Sequence, residues 1–293
     1  MAGCELDEPN GLETKRGRKA WERALLGFGE WIRMTRKVKA ITVCKYLEAA
    51  VRILRKASMR EVRLPGLRMY LRRLRGEVEE RAPRRPVNSQ VVRSLMRDDS
   101  VDLGVKVACL VAFHLMLRVS EYAIRTDRFR PEYHLTAKRL TFGDQRVAIR
   151  LVTYKNDKWN CGDIRILAET GGDLCPVAWL KKYQRWWRSQ GFSDEEQYFR
   201  RRGGYPVQPR HVTAAVRQHA VLIGLPGPPS DYSSHSLRIG GATMLAAAGF
   251  TDSEIMLLGR WNSNCFRMYT RTVRATVRRA AQAIQRSQAV PIG

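Results

Sequence analysis

A chain of 293 residues, 44% of them hydrophobic, is long enough for one large domain or two ordinary ones. Its 53 lysines and arginines against 28 aspartates and glutamates give a formal net charge of +25, which favours a polyanionic partner such as nucleic acid. No apolar run approaches the roughly 18 residues that a membrane span needs, and the cysteines form no C-x-x-C pair. We therefore expect neither a membrane protein nor a zinc module.

The N-terminal quarter of the chain predicts a helical domain. Residues 1–13 are polar and are expected to be disordered, and three amphipathic helices follow within residues 14–79, the second near Thr42 and the third from Pro65. The apolar face of the first helix comprises Trp21, Leu25, Phe28, Trp31 and Ile32. The polar face of the third includes Arg68, Arg72 and Arg73. That face is either a solvated charged surface or a surface that follows DNA phosphates.

Residues 80–87 predict a linker, because two prolines and three arginines occur there without helical periodicity. The second domain is expected over residues 88–271. Asn88 is a good N-cap for a short helix, and a longer apolar helix covers about 102–117. Three strand-like runs follow at 135–142, 146–154 and 163–168. Short turns separate them, so the pattern predicts a small antiparallel sheet.

From Pro176 to the end the pattern is helical again. Two amphipathic helices precede the segment HSLRIGGATMLAAAG, which begins at His235, and the segment DSEIMLLGRW follows it. A last helix is expected at about 272–288, within a C-terminal segment of residues 272–293. The fold class that these patterns predict is mainly α with a small antiparallel β-sheet, in two domains.

The clearest local motif is His235-x-x-Arg238, because residues three apart share one face of a helix. Gly240 and Gly241 follow, and such small residues let the helix pack closely against another. Alone the motif is weak evidence, since a His and an Arg on the surface at a helix start form the same pattern.

Further residues place this motif in an ordered set. Arg118 follows the long apolar helix, Lys155 follows the second strand, and an aromatic pair lies downstream of the motif. The full set is Arg118, Lys155, His235, Arg238, Trp261 and Tyr269. It resembles the active site of the tyrosine recombinase (phage-integrase-like) family over roughly residues 86–290. The wording HSLRIGGAT…GRW…Y looks closest to recombinases of eukaryotic crypton and DIRS-like mobile elements.

The resemblance implies a role for each residue. Arg118 and Arg238 would bind the non-bridging oxygens of a pentavalent phosphorane, and Trp261 would donate its indole N–H to the same phosphate. His235 would hydrogen-bond the phosphate and help to move the tyrosine proton. Tyr269 would attack phosphorus to give a 3′-phosphotyrosine. The implied chemistry needs no metal, no cofactor and no ATP.

For several residues of the set and near it, alternatives to these roles are open. Lys155 would protonate the leaving 5′-oxygen, with Lys158 as its rival in the same turn. Glu121 either orients an active-site cation or is a plain surface acid. Trp261 is alternatively a core residue, and Arg118 a cation at a helix C-terminus. Tyr232 lies ahead of the H-x-x-R motif, where the family has no nucleophile.

The family also implies an architecture. Residues 14–79 would be its core-binding domain, which clamps DNA, and residues 88–271 its α+β catalytic domain. The segment 272–293 would dock on the next protomer of a homotetramer on two DNA sites, or else pack on its own domain. The free protein would be a monomer or dimer. We assign contacts with double-stranded DNA to Arg68, Arg72, Arg73, Arg84, Arg85, Lys158, Arg210 and Arg217.

Three functions are compatible with this pattern: a site-specific recombinase or integrase, a type IB topoisomerase-like nicking-closing enzyme, and a non-catalytic DNA-binding relative. The basic run at 15–19 is either a nuclear import signal or a DNA contact. We expect a nuclear protein if the host is eukaryotic, and otherwise a cytoplasmic one.

Overall fold

The structure, a computed structural model, describes residues 14–58, 63–77, 84–152, 161–261 and Arg267. The chain divides into two compact units, residues 1–82 and 83–293. Several predictions concern residues outside the described ones and stay predictions. They are the disordered segment 1–13, the roles of Lys155, Lys158 and Tyr269, and the C-terminal helix within 272–293.

The described residues of the first unit form three helices, α1 (Lys15–Arg36), α2 (Ala40–Ser58) and α3 (Pro65–Gly76). Thr14 caps α1 by accepting a hydrogen bond from the backbone N–H of Gly17 at 2.9 Å. Proline stands at the first turn of α3, where its missing N–H costs nothing. The core residues from all three helices are Leu25, Ile32, Val43, Cys44, Leu47, Leu54, Leu67 and Leu74.

The apolar face predicted for α1 is partly wrong. Phe28 and Trp31 are 41% and 52% exposed, and they stack on each other with ring centroids 6.2 Å apart. The buried stripe instead contains Gly29, where an added Cβ would lie 3.0 Å from the ring of Tyr70 and 3.1 Å from the side chain of Leu47. The absence of a side chain at Gly29 lets α1 approach its neighbours closely, so the helix is rotated away from the two large aromatic residues.

The second unit is built around a buried helix. The helices in its described ranges are α4 (Ser89–Arg97), α5 (Leu103–His114), α6 (Val119–Tyr122), α7 (Pro176–Ser189), α8 (Pro209–Leu222), α9 (Ser234–Ala247) and α10 (Asp252–Gly259). Every residue of α5 from Gly104 to Phe113 is buried. A helix that is apolar all round is stable only when other elements cover every side, and α4, α7, α8 and α9 do so here.

A three-stranded antiparallel sheet, in the order β1-β2-β3, completes this unit: β1 (Leu140–Phe142), β2 (Arg146–Leu151) and β3 (Asp163–Ala168). The prediction of mainly α structure with a small antiparallel sheet is therefore confirmed. The first strand is shorter than predicted, because residues 137–139 form a 3-10 turn. There the guanidinium of Arg139 donates to the carbonyl oxygens of Pro131, Glu132 and His134, which holds the chain in a curl.

Small residues allow close packing of α9 in the second unit. A Cβ added to Gly240 would overlap the carbonyl oxygen of Val87, and one added to Gly241 would overlap that of Phe113. The close packing predicted for this helix is thus confirmed, with α9 in direct contact with α5.

Within the described part of the chain, no helix combines the length and apolar character needed to cross a membrane.

Candidate active site

Arg118 lies just after a sharp turn of the backbone. The helix α5 ends at His114, earlier than predicted, and Met116 adopts a left-handed conformation with a φ of 49°. Arg118 consequently precedes α6 as its N-cap residue. The alternative of a cation at the C-terminus of a helix is therefore wrong.

Glu121 holds Arg118 at two points. Its carboxylate accepts a hydrogen bond from the backbone N–H of Arg118 at 2.8 Å and another from Arg118 Nη1 at 3.3 Å. The side chain of Glu121 is only 4% exposed, whereas that of Arg118 is 19% exposed. Glu121 is therefore not a plain surface acid, and the arginine that it holds still reaches solvent.

His235 and Arg238 lie in the first turns of α9. Ser233 caps this helix and accepts a hydrogen bond from the backbone N–H of His235 at 3.3 Å. Arg238 is buried, and its guanidinium donates to the carbonyl oxygens of Met116 and Gly259. This arginine therefore joins three segments: the turn before Arg118, the helix α9 and the end of α10.

Trp261 covers the Arg238 guanidinium, whose carbon lies 4.1 Å from the centre of the Trp261 ring. The indole also packs against Met116 and Ile255 in a small buried cluster. Its packing role is thus visible, and donation to a phosphate stays a prediction.

The charges of these residues meet at His235. Burial lowers the pKa of this histidine, and the positive charges of Arg238, Arg118 and Arg84 lower the pKa further. The imidazole is thereby favoured in its neutral form near pH 7, in which it can accept a proton. Two arginines from separate parts of the sequence thus lie close enough to one histidine to affect its charge.

A second group of charges borders the site, and no motif of the sequence predicts it. The guanidinium of Arg260 lies 2.8 Å from the Glu121 carboxylate and 3.8 Å from that of Asp163. Arg165 donates to the carbonyl oxygen of Leu258 at 2.6 Å and lies 3.5 Å from Asp163. The sequence signal for Arg260 was its place between Gly259 and Trp261; no local signal pointed to Arg165 or Asp163.

The described groups leave a positive excess. The six groups are four guanidiniums and two carboxylates, with a formal charge of +2 between them. The cluster consists of Arg118, Arg165, Arg238, Arg260, Glu121 and Asp163. A group of guanidiniums is suited to an anionic ligand, and phosphate matches guanidinium geometry.

Other predicted features can be placed as well. The rival nucleophile Tyr232 is 2% exposed, and its hydroxyl donates to the carbonyl oxygen of Pro226 at 2.7 Å, so it is not available for attack. Among the described residues, no three or more His, Cys, Asp or Glu side chains are grouped so that they could hold a metal ion.

The predicted DNA contacts of the first unit divide into two kinds. Arg68 and Arg72 line a groove between α2 and α3 that also contains Arg55, Arg63, Leu64, Pro65 and Met69. Arg73 instead lies 3.2 Å from Glu30 and 3.9 Å from Glu77. The groove is thus the more basic surface, while the charge of Arg73 is offset within its own unit.

In the second unit, the two linker arginines that were predicted to contact DNA bind groups of the protein itself. Arg84 donates to the carbonyl oxygen of Ser230, and Arg85 pairs with Asp231 at 2.9 Å. The backbone N–H of Val87 donates to the carbonyl oxygen of Ser236 at 3.3 Å. Residues of the predicted linker thus attach to the loop before α9 and to the first turn of α9, and the charge of Arg84 acts on His235.

The two contacts predicted on α8 differ from each other. Arg217 donates to the carbonyl oxygen of Tyr232 at 3.1 Å and is partly buried. Arg210 is exposed in the first turn of the helix, with its Nε 3.3 Å from a ring nitrogen of His211. Arg210 is therefore the more accessible of the two for a ligand.

Comparison with known proteins identifies the fold. No protein-family model and no curated protein sequence matches the chain. Among solved structures, XerA recombinase is 17% identical with a TM-score of 0.51, over 92% of this chain and 84% of that one. The Tn1549 transposon integrase, in complex with circular intermediate DNA, is 16% identical with a TM-score of 0.53, over 88% and 84%.

XerH recombinase, bound to a palindromic difH substrate, is 13% identical with a TM-score of 0.54, over 89% of this chain and 72% of that one. These likenesses show that the chain has the tyrosine recombinase fold. They give no support to the closer resemblance to crypton and DIRS-like recombinases, which stays a prediction.

Proposed function

Because the chain has the tyrosine recombinase fold, we propose that it is a site-specific recombinase or integrase that cuts and rejoins DNA through a 3′-phosphotyrosine on Tyr269. One observation carries the proposal: the Arg238 guanidinium reaches the turn that carries Arg118, and the charges of both arginines act on His235. A pentavalent phosphorane carries more negative charge than a phosphodiester, and fixed cations stabilise it selectively.

In the proposed reaction the energy of the broken phosphodiester bond is kept in the phosphotyrosine bond. The Tyr269 hydroxyl oxygen forms a bond to phosphorus while the bond from phosphorus to the 5′-oxygen breaks. His235 takes the phenol proton, and Lys155 gives a proton to the departing 5′-oxygen. A 5′-hydroxyl then attacks the phosphotyrosine in the reverse sense and releases Tyr269. Each well-placed cationic donor is worth roughly 3–4 kcal/mol in such a step.

Double-stranded DNA is the proposed substrate. The net charge of +25 and the arginine-lined groove on the first unit both favour a polyanion. The similar Tn1549 integrase and XerH structures are themselves complexes with DNA. We further propose that four protomers assemble on two duplexes through the segment 272–293. In a eukaryotic host the reaction would take place in the nucleus, and otherwise in the cytoplasm.

The test is a covalent trap with the full chain. The probe is a pool of duplexes with random sequence, each nicked a few nucleotides from the end so that the cleaved fragment diffuses away. After denaturation, adducts are captured and their DNA is sequenced. We expect adducts on a defined sequence for the wild type and for the exposed-tyrosine control Tyr133→Phe, and none for Tyr269→Phe.

Other outcomes point elsewhere. An adduct that persists in Tyr269→Phe would show that a different nucleophile is used. Sequence-selective DNA binding without any adduct would identify a non-catalytic relative. Adducts accompanied by relaxation of supercoiled plasmid, with no exchange of strands between two duplexes, would identify a topoisomerase-like enzyme.

A further inference from the structure

Arg260 occupies a backbone position that suits glycine. It ends α10 with φ 56° and ψ 49°, in the left-handed region that is unfavourable for residues with a Cβ. Among the described residues only Lys37, Met116 and Arg260 are non-glycine residues with positive φ. Two of these three border the candidate site. A strained residue that persists at a site indicates that its side chain has a use there.

The side chain of Arg260 is buried and bonds to a carboxylate that also accepts hydrogen bonds from another arginine. Its Nη2 lies 2.8 Å from Glu121 Oε2, and the two side chains are 6% and 4% exposed. The same Oε2 accepts the backbone N–H of Arg118, and Oε1 accepts the guanidinium of Arg118. Glu121 is therefore shared between Arg118 on one side and Arg260 on the other.

This sharing has an electrostatic consequence. A carboxylate that pairs with a single arginine cancels most of the charge that this arginine offers to a phosphate, especially away from bulk water. A second guanidinium beside the same carboxylate offsets part of its negative charge, so less of the charge of the first arginine is cancelled. With Arg260 in place, Glu121 orients Arg118 while two guanidiniums share its single negative charge. Asp163, 3.8 Å from Arg260, also pairs with Arg165.

The sharing also has a geometric consequence. Arg260 lies between Gly259, whose carbonyl oxygen accepts from Arg238, and Trp261, whose ring covers the Arg238 guanidinium. Its bond to Glu121 fixes this segment to the turn that carries Arg118. The side chain of Arg260 thus connects the residue that holds Arg118 with the segment that contacts Arg238.

We propose that Arg260 is a positioning residue, which acts through Glu121 to hold Arg118 and to preserve its charge toward a DNA phosphate. The inference rests on the proposed function for its catalytic meaning, but the coupling between the three residues can be measured without DNA. The tests therefore have two parts, one on the free protein and one on DNA.

The first part measures the pKa of His235 by NMR titration of the full chain with labelled histidine, with the signal assigned through His235→Gln. Loss of a cation raises a histidine pKa. We expect Arg260→Gln to raise the pKa of His235, because Glu121 then offsets the charge of Arg118 alone. In a Glu121→Gln background the same substitution should give a much smaller shift. Equal shifts in both backgrounds, or none in either, would overturn the inference.

The second part measures adduct formation on a nicked duplex recovered from the covalent trap. Partners that orient an active-site ligand are typically worth about 10–100-fold, so Arg260→Gln should slow adduct formation by that factor at saturating DNA. The DNA concentration for half-saturation should change little. Arg260→Lys, which retains the charge, should recover part of the rate.

Arg260→Gly separates positioning from a purely structural role. Glycine suits the left-handed backbone, so a residue needed only to end α10 would be replaced without loss of rate. We expect the rate to fall as in Arg260→Gln. An unchanged rate would contradict the inference.

Arg200→Gln is the matched control. Arg200 is also largely buried, with 12% of its side chain exposed, and it pairs with Glu196 at 2.8 Å outside the cluster around Glu121. Its loss should lower stability without changing the pKa of His235 or the rate per folded molecule. If the wild type forms no adduct, the proposed function fails while the titration still decides on the coupling. If the wild type forms adducts and Arg260→Gln matches it, only the inference fails.

Discussion

At Trp261 a packing role and a proposed catalytic role coincide in one side chain. The residue is 7% exposed and covers the Arg238 guanidinium, which any large aromatic ring could do. Donation of a hydrogen bond to phosphate, in contrast, needs the indole N–H. Substitutions of different size can therefore separate the two roles.

We predict that Trp261→Phe changes the free energy of unfolding by about 1–2 kcal/mol but slows adduct formation by about a hundredfold, because the donor is lost. Trp261→Ala should also destabilise the second unit by about 3–5 kcal/mol, since it leaves a cavity. Thermal unfolding and the trapping rate are the measurements. The control is Trp179→Phe, which should leave the rate unchanged. The indole of Trp179 donates to the carbonyl oxygen of Asp173, outside the site. A Trp261→Phe variant as fast as the wild type would assign Trp261 to packing alone.

Gly240 shows how a missing side chain positions the site. Because a Cβ there would overlap the carbonyl oxygen of Val87, we predict that Gly240→Ala destabilises the second unit by about 1–3 kcal/mol, although alanine favours helices. Denaturant unfolding measures the change. Gly143→Ala, where the nearest atom lies at an ordinary 3.5 Å, should be nearly neutral. Equal effects of the two substitutions would mean that α9 can shift without cost.

The sequence identifies single residues better than it identifies their partners. The spacing of His235 and Arg238 predicts that they share a helix face, and both do lie in the first turns of α9. The pairing of Glu121 with Arg260 depends on the reversal of the chain at Met116 and on the left-handed end of α10. Neither conformation has a local sequence signal, because neither residue is a glycine or an asparagine.

At the scale of elements, the start of α9 determines where His235 lies. Ser233 accepts the His235 backbone N–H, and the hydroxyl of Ser236 accepts the N–H of Ser233 at 3.0 Å. We predict that Ser233→Ala lowers stability by about 1 kcal/mol. It should also slow adduct formation, because the first turn loses its fixed geometry. Urea unfolding and the trapping rate test this.

Ser233→Thr supplies the comparison for this cap. Threonine keeps the hydroxyl acceptor, so both the stability and the rate should return close to those of the wild type. If the threonine variant is as unstable as the alanine variant, the hydroxyl is not what holds the first turn.

Element types follow from the sequence more reliably than their bounds and faces. The alternation in β2 correctly predicts a strand, with Val147, Ile149 and Leu151 buried. The strand predicted at 135–142 is reduced to Leu140–Phe142, because Arg139 bonds to carbonyl oxygens of the preceding segment. In α1 the close approach at Gly29 overrides the apolar pattern. Both differences arise from tertiary contacts that periodicity does not encode.

For the molecule as a whole, histidines link folding to pH. Burial lowers the pKa of all five, His114, His134, His211, His219 and His235, below the ordinary value of 6.5. The unfolded chain therefore binds protons at a higher pH than the folded one. Stability from these groups is fully present above pH 6.5 and is lost as the pH falls below it.

His219 is the most informative of the five for this effect. It is 1% exposed, and its two ring nitrogens face the Ser94 hydroxyl at 2.9 Å and the Asp98 carboxylate at 3.3 Å. Lys106, packed nearby, adds a positive charge that lowers the pKa of His219 further, while Asp98 raises it in part. Because burial outweighs the attraction of Asp98, protonation opposes folding.

We predict that the melting temperature of the full chain falls between pH 7.5 and pH 5.5, as expected for a folded state whose buried histidines resist protonation. His219→Gln should reduce this dependence, because glutamine does not titrate. His134→Gln, at a more exposed histidine, should reduce it less. Scanning calorimetry across this range measures both effects. A melting temperature that rises on acidification would mean that the ion pair with Asp98 dominates, and the direction of the His219 shift would then be wrong.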